Sequence, residues 1–377
     1  MFDIFVSGAG LAGLQVARLL VLRGLRVALA DRKASVSEGV HTTGIFVRKT
    51  WEDFPLPEEQ LGRPIREVVL YSPARRPLPL TAGRDEFRVG RMSWIYLYLL
   101  ESCVRAGVTW MPSTRLLRVE GSDPIVARGG REERVAARFV IGADGPRSVV
   151  ARELGLDRNR EFLVGLEDVV AGGGTPALHC FLDPRLAPGY IAWVVDDGVE
   201  KHAGVAGYRD RFDPAASLDR FRRSVPHLAG GRVVERRGGL IPVGGILRRI
   251  ANRRGLLVGD AAGAVSPLTA GGLDAALRLS SFAAEVAAQY LESGDERALA
   301  AYDGGRFRAR FLARRWMRKT IRVVDHPLLI ELACAVLRAT PLRALAEHVF
   351  FGRGSFPDLS PPLPSSSRRP RSSPAGA

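Results

Sequence analysis

The segment Gly8-Ala9-Gly10-Leu11-Ala12-Gly13 constrains this chain more than any other. It follows the apolar run Ile4-Phe5-Val6 and opens into Leu14-Gln15-Val16-Ala17-Arg18-Leu19-Leu20, an order that reads strand, tight turn, helix. The next apolar run ends in Asp31, about 20 residues past the turn, where a dinucleotide-binding βαβ unit carries its acid. Gly8 permits the sharp turn, Gly10 lets the backbone approach a pyrophosphate, and Gly13 lets the helix close on the strand. The helix N-terminus adds unpaired N–H groups and a partial positive charge. Asp31 is placed to accept from a ribose 2′-OH and to repel a 2′-phosphate, which selects FAD or NAD over NADP. Glycine turns of this kind also occur as plain structural turns; here the flanking strand, helix and terminal acid supply the context for a nucleotide.

Composition limits the classes that remain. A chain of 377 residues can build two or three lobes with a sizeable core. It shows no secretory-signal pattern and no uninterrupted apolar stretch of the ~20 residues needed to cross a bilayer; the most apolar late run, Leu328 to Leu337, is broken by Glu331. Cys103, Cys180 and Cys334 are scattered with no CxxC pair, so neither a metal site nor a redox dithiol is expected, and a reducing cytoplasm is the expected compartment. The formal net charge is +15 and is carried almost wholly by arginine, with lysine only at Lys33, Lys49, Lys201 and Lys319. Arginine is spread through every segment, and no helix-turn-helix or RNA-binding signature is present, so nucleic acid is not an expected partner.

Periodicity divides the chain. Alternation at Glu67-Val68-Val69-Leu70-Tyr71 and near Phe87-Arg88-Val89 predicts strands, and the spacing of Ile95, Leu99 and Val104 predicts a helix from about Met92 to Ala106. From about Glu161 to Val243, short alternating runs broken by Gly, Pro and Asp predict an antiparallel sheet. A buried-strand pattern returns at Leu256-Leu257-Val258, followed by a long helix from about Gly272 to Leu291. The expected division is 1–60, 85–158 and 250–295 for the nucleotide domain and 61–84 with 159–249 for a β-sheet substrate domain. Helices are expected over 296–353, and a disordered tail over 354–377. Within the helical section, Leu312, Ala313, Trp316, Met317, Thr320 and Val324 share one side of a helix over 306–324. Arg306, Arg310, Arg314, Arg318 and Arg322 share the other. The expectation is a docked helix with its apolar side on the main domain and a solvated basic face; the alternative is a helix lying on an anionic membrane.

Two further motifs complete a set. Gly142-Ala143-Asp144-Gly145-Pro146-Arg147-Ser148 ends a strand, and Gly259-Asp260-Ala261-Ala262-Gly263 runs through Pro267-Leu268-Thr269-Ala270-Gly271-Gly272-Leu273 into the long helix. In this order and separation, the three resemble the set found in FAD enzymes of the para-hydroxybenzoate hydroxylase superfamily, over most of Met1 to Phe350. The Gly-Asp-Ala-Ala-Gly then Pro-Leu-Thr pattern and Ser280-Ser281-Phe282-Ala283-Ala284-Glu285 are similar to the geranylgeranyl reductase branch. Gly189-Tyr190-Ile191-Ala192-Trp193 resembles that branch's aromatic substrate-pocket motif. The chain departs from the branch at Val195-Asp196, where a Pro is usual, and at His41-Thr42-Thr43-Gly44, where many members have Cys-Gly.

The resemblance implies an α/β fold. A discontinuous Rossmann-like FAD domain would carry an inserted antiparallel β-sheet substrate domain and end in a helical section. It implies FAD contacts from Gly8, Gly10, Leu11, Ala12, Gly13, Asp31 and Arg32, and from Arg91 ahead of the helix at Met92. Asp144 and Gly145 would contribute near the pyrophosphate, and Gly259 and Asp260 at the ribityl chain. Pro267, Gly271, Gly272 and Leu273 would meet the flavin end. Pocket candidates are His41, Tyr190 and Trp193, with Trp51, His179 and His202 behind them, and no catalytic residue is singled out. Three functions stay open: reduction of C=C bonds in an isoprenoid or other hydrophobic substrate, aromatic hydroxylation by an FAD monooxygenase, or non-catalytic flavin binding at a membrane surface. With no second glycine fingerprint, electrons would come from transiently bound NAD(P)H or a ferredoxin-like carrier.

Overall fold

A computed structural model describes residues 1–352 apart from 309–310, 324 and 340–341. The tail expected over 354–377 therefore lies outside the described residues, as do Arg310 and Val324 of the basic helix.

The first strand, Phe2–Ser7, is buried on both faces, as the unbroken run Ile4-Phe5-Val6 requires. It takes the centre of a six-stranded sheet in the order Ala251–Asn252, Gly255–Leu257, Ala137–Gly142, Phe2–Ser7, Val27–Ala30, Thr109–Met111. All neighbours are parallel except the short edge strand Ala251–Asn252. The helix Leu11–Val21 makes the first crossover and packs against both Met92–Arg105 and the long helix Leu273–Ser293. Segments distant in sequence thus form one nucleotide-type α/β layer, and the chain ends of its central strands meet at one edge. In open sheets of this kind, that edge is where ligands bind.

The second body is a seven-stranded sheet in the order Val233–Pro242, Phe162–Ala171, Glu200–Gly207, Ala192–Asp196, Ala177–Phe181, Glu67–Tyr71, Pro77–Thr81. It is antiparallel except for the pairing of Ala177–Phe181 with Glu67–Tyr71, which is parallel. That pairing arises because the two early strands join the sheet's edge from a distant part of the chain rather than through a hairpin. One face carries Phe181, Ala192, Val194 and Ala203 against the helix Pro214–Ser224. The opposite face carries Leu178, Cys180, Trp193 and Glu167 and turns toward the nucleotide layer.

A small antiparallel sheet of Thr114–Glu120, Asp123–Arg128 and Arg131–Arg134 flanks the first, its outer side latticed by Arg118, Glu120, Glu132 and Arg134. The C-terminal helices include Gly304–Arg308, Leu312–Val323, Pro327–Ala339 and Arg343–Phe351. The basic helix read over 306–324 corresponds to Gly304–Arg308 and Leu312–Val323, with 309–310 and 324 outside the described residues. No described helix is long and apolar enough to cross a membrane.

Candidate active site and cofactor cradle

Gly8 adopts φ +100°, and a Cβ there would come within 2.3 Å of the Ala143 carbonyl oxygen. A Cβ on Gly13 would lie 1.9 Å from the Gly8 carbonyl oxygen. These two glycines lock the strand, the turn and the helix into contact, and neither position has space for a side chain. At Gly10, by contrast, a Cβ would meet no protein atom within 4 Å. Gly10 keeps open a face of the turn that belongs to a cavity shared with Leu11 and Ala12. Asp31 is oriented by the same turn: its Oδ2 accepts from the Ala9 N–H at 2.8 Å and its Oδ1 from the Lys33 N–H at 3.0 Å. Asp31 lines the cavity, and exposed Arg32 stands beside it on the rim.

Asp144 and Gly145 close the neighbouring turn. Asp144 accepts from the Ser148 hydroxyl at 2.5 Å and from the Val149 and Val150 N–H groups at 2.7 and 3.1 Å, so it caps the helix Val149–Glu153. Burial raises its pKa in spite of those bonds. Gly145 (φ +81°) presents an open face to the cavity like that of Gly10.

The third motif supplies an unpartnered acid. Gly259 (φ +56°) packs against Ala12, where a Cβ would come within 2.8 Å of the alanine methyl. The next residue, Asp260, is held through its carbonyl, which accepts from Asn159 Nδ2 at 2.8 Å. Its carboxylate lines the cavity, and among the described residues no donor reaches it. With nothing to oppose it, burial pushes the Asp260 pKa up to about 6. Beyond it, Gly271, Gly272 and Leu273 bring the start of the 21-residue helix Leu273–Ser293 to the cavity wall. The first N–H groups of that helix have no intrahelical acceptor, and its dipole is positive there.

Not every expected contact reaches the cavity. Arg91 is exposed at the N-cap of Met92–Arg105, its backbone N–H donating to the Gln60 carbonyl, and its side chain is not part of the lining. Pro267 is buried behind the loop, where its carbonyl accepts from Arg318 Nε at 2.7 Å. Trp51 packs on the main core. His179 faces the helix-covered side of the large sheet, beside Tyr71 and Phe181, because residues alternate faces along a strand.

His41, Tyr190 and Trp193 do line the cavity. His41 Nδ1 meets the Gly238 carbonyl at 2.7 Å, joining the two bodies. The Tyr190 hydroxyl donates to the Thr269 carbonyl at 2.6 Å, tying the aromatic motif to the third glycine loop. The Trp193 ring lies over Gly204 on the adjacent strand, where a Cβ would come within 2.2 Å of it.

Three buried side chains depart from the sequence reading: Glu167 was not singled out, His202 was a pocket candidate but stands behind Glu167 rather than in the lining, and Arg318 was placed on a solvated face. Glu167, 3% exposed, forms part of the cavity wall. Its Oε2 accepts from Trp193 Nε1 at 3.2 Å and from the Thr43 hydroxyl. Its Oε1 lies 3.5 Å from His202 Nδ1 and 3.8 Å from Arg237 Nη1. His202 Nε2 lies 3.6 Å from Asp197 Oδ2. Burial opposes the charge on His202, yet Asp197 and Glu167 outweigh it and hold its pKa up to about 9. Burial likewise opposes the charge on Glu167, but His202, Thr43 and Arg237 leave its pKa below the ordinary value. The third, Arg318, was expected on a solvated basic face and is instead 2% exposed. Its guanidinium stacks 4.9 Å from the Tyr190 ring centre and donates to the Gly189 and Pro267 carbonyls. The helix is turned over relative to expectation: Arg314 and Arg318 face inward with Met317, and Trp316 is 67% exposed.

The glycine and acid arm opens into an apolar arm walled by Leu178, Ile191, Ile330, Cys334, Leu337 and Phe350. The whole cavity measures about 1640 Å³. Such a volume exceeds the ~300–1,000 Å³ of a pocket for one small ligand.

Comparison with known proteins places this geometry. A family profile described as FAD binding domain matches residues 98–176, and one described as lycopene cyclase protein matches residues 216–339. Digeranylgeranylglycerophospholipid reductase 2 of Methanothermobacter thermautotrophicus is 31% identical over 354 residues, covering 87% of this chain and 86% of that protein. The chain belongs to the geranylgeranyl reductase family of flavoproteins. It is an FAD-dependent oxidoreductase. Digeranylgeranylglycerophospholipid reductase of Methanothrix thermoacetophila is 28% identical over 309 residues, covering 78% of this chain and 79% of that one. Among solved structures, a geranylgeranyl bacteriochlorophyll reductase-like protein of Thermoplasma acidophilum superposes with a TM-score of 0.81 at 21% identity, covering 93% and 97% of the two chains. Pseudomonas aeruginosa PqsL superposes with a TM-score of 0.65 at 20% identity, covering 89% of this chain and 100% of that one. Both structures share the fold.

The residues of this reductase-family chain fit FAD. The open faces at Gly10 and Gly145 suit a pyrophosphate, and the unpartnered Asp260 suits hydroxyl donors of a ribityl chain. When bound, FAD supplies the hydride chemistry. The protein would contribute the glycine turns, the positive helix end at Gly271–Leu273 and the walls of the cavity.

Proposed function

We propose that this protein reduces C=C bonds of a prenylated lipid, with reduced FAD as the hydride source. The observation that carries the reading is the joined cavity: one arm is backbone and acid, suited to a dinucleotide, and the other is apolar and long. The relatives named as digeranylgeranylglycerophospholipid reductases support a substrate of that class. We further propose that the residues meeting the cofactor include Gly8, Gly10, Leu11, Ala12, Gly13, Asp31, Arg32, Asp144, Gly145, Gly259, Asp260, Gly271, Gly272 and Leu273, and that His41, Tyr190 and Trp193 border the reacting carbon atoms.

Electrons are proposed to arrive from transiently bound NAD(P)H or a ferredoxin-like carrier. The substrate's source is proposed to be a membrane, met through the C-terminal helices. Helix Pro327–Ala339 turns Ile330, Cys334 and Leu337 toward the cavity and Leu328, Leu329 and Leu332 outward, Leu328 at 73% exposure. A helix apolar on both sides requires cover. Exposed Lys319 and Arg322 on the preceding helix suit an anionic surface.

The test is anaerobic turnover. Reduced holoprotein given a prenylated glycerophospholipid should reoxidise and yield product gaining two hydrogens per double bond. If flavin oxidation instead requires oxygen and an aromatic compound, the monooxygenase reading replaces this one.

A further inference from the structure

Saturating a C=C bond takes a hydride and a proton. The hydride brings its electron pair to one carbon, and its donor, two-electron-reduced flavin, is oxidised. The π pair of the double bond binds a proton at the other carbon. A titratable group on the cavity wall is placed to hold that proton. Several wall groups are poor sources. The Cys180 and Cys334 thiols are pushed up by burial, Cys180 to about 12. The Tyr190 hydroxyl is committed to the Thr269 carbonyl. Asp260 lies at the third glycine loop, in the cofactor arm.

On the reductase reading, we propose that Asp197, His202 and Glu167 form a proton-delivery chain, with Glu167 passing the proton to the substrate double bond and His202 resupplying it. Alternation along three adjacent strands brings Glu167, His202 and Trp193 to one face: Glu167 and Trp193 both pair with Gly204, and His202 lies two residues before it. The cluster is closed on the far side and open on the near one. Asp197 is anchored by accepting from the Val199 and Glu200 N–H groups at 2.8 and 2.7 Å. His202 is 3% exposed, and both ring nitrogens, together with Glu167 Oε1, have no hydrogen-bond partner in the resting geometry. These three buried atoms stand at ion-pair distance from their partners, 3.5–3.8 Å, just beyond hydrogen-bond length. A shift of a few tenths of an ångström makes both links of the chain.

The charges facing His202 are Glu167 and Asp197, with Arg237 and its partner Glu235 behind Glu167 and Lys201 paired to Asp196 beside it. With His202 protonated, its Nδ1–H faces Glu167 and its Nε2–H faces Asp197, so the titratable proton of the cluster is carried by the histidine. Thr43 and Trp193 donate to Oε2 of Glu167, which leaves Oε1 to take the proton from His202. Glu167 is the catalytic residue in this scheme, and His202 and Asp197 are positioning and supply residues.

The experiment has two readouts. In cofactor-free protein, histidine Cε1 NMR should show His202 as imidazolium up to about pH 9, and Asp197→Asn should lower that titration by a pH unit or more. In single turnover of pre-reduced holoprotein with a prenylated lipid, the wild-type reoxidation rate should fall above about pH 9 and show a solvent deuterium effect. Glu167→Gln should slow it at least a hundredfold, while FAD affinity and reduction by dithionite stay as in wild type. His202→Gln should slow it at least tenfold and remove the alkaline limb. Should either substitution fail to fold, Asp197→Asn gives the same reading by shifting the limb downward. Wild-type rate, limb and isotope effect retained in all three variants would overturn the chain alone. A wild type that no prenyl lipid reoxidises would overturn the reductase reading and the chain with it.

Discussion

The two arms of the cavity are built in opposite ways. The cofactor arm is made of backbone: Gly8, Gly10, Gly145 and Gly259 turn within a few residues of a strand end, with Gly13 packed behind them, and their neighbours in sequence are their neighbours in space. The substrate arm is made of side chains from strands and helices far apart in the chain, Leu178 and Phe350 among them. A backbone site tolerates no change of shape and is indifferent to most side chains. A side-chain site tolerates shape changes and depends on identity.

The sharpest way to break this contrast is to compare two glycines in one turn. Gly13→Ala places a methyl 1.9 Å from a carbonyl oxygen and should destabilise the cofactor-free protein by about 3 kcal/mol or more, read as a fall in Tm. Gly10→Ala meets no protein atom, so Tm of the cofactor-free protein should hold, while FAD affinity falls by roughly tenfold to a hundredfold, about 1.4–2.8 kcal/mol. Equal stability losses in the two variants would show that Gly10 is a structural glycine only.

Asp260 gives the next largest effect. Hydroxyl donors favour its ionised form, so binding FAD should lower a pKa that burial has raised to about 6. The affinity is then full above that pH and falls by up to about tenfold per unit below it, until the bound-state pKa is reached. In the cofactor-free protein the sign reverses. A carboxyl raised above its unfolded value loses stability as pH rises from near 4 through 6, and FAD restores it. Asp260→Asn should flatten both profiles and weaken FAD by about 1.5–3 kcal/mol at neutral pH. A pH-independent wild-type affinity between 5 and 8 would remove Asp260 from the cofactor contacts.

Smaller changes probe the substrate arm. Leu337→Trp should raise KM for a prenyl lipid about tenfold with FAD affinity unchanged. Trp316→Ala, on an exposed ring, should move Tm by less than the equivalent of about 0.5 kcal/mol. The same change should weaken binding to anionic vesicles, measured by co-sedimentation at two salt concentrations.

The same contrast explains what could be read from the sequence. The glycine turns, Asp31, Asp260 and the helix starting at Leu273 were legible because strand, turn and helix signals are local. Asp144 was legible as a motif residue, and its bonds show it capping a helix. Arg91 and Pro267 fell outside the lining because a motif places a residue near a site without fixing which way it faces. Glu167, His202 and Asp197 meet only through the register of three strands, which no local pattern encodes. Arg318 was misread because periodicity finds two faces of a helix but does not say which one is docked. Carbonyl acceptors and the Tyr190 ring made the charged face the inner one. The parallel pairing of Glu67–Tyr71 with Ala177–Phe181 was hidden for the same reason.

Ala270 sits at φ +52°, in a left-handed conformation that costs a residue with a Cβ about 1–2 kcal/mol. Its loop is pinned by the Ser266 N–H to the Gly271 carbonyl and by its own N–H to the Ser266 carbonyl, both at 2.9 Å. The stretch leading into the long helix is thus a wound spring rather than a slack tether. Exchanging Ala270 for glycine would unload the spring and harden the protein against heat, yet it would also let the amides at the helix start wander.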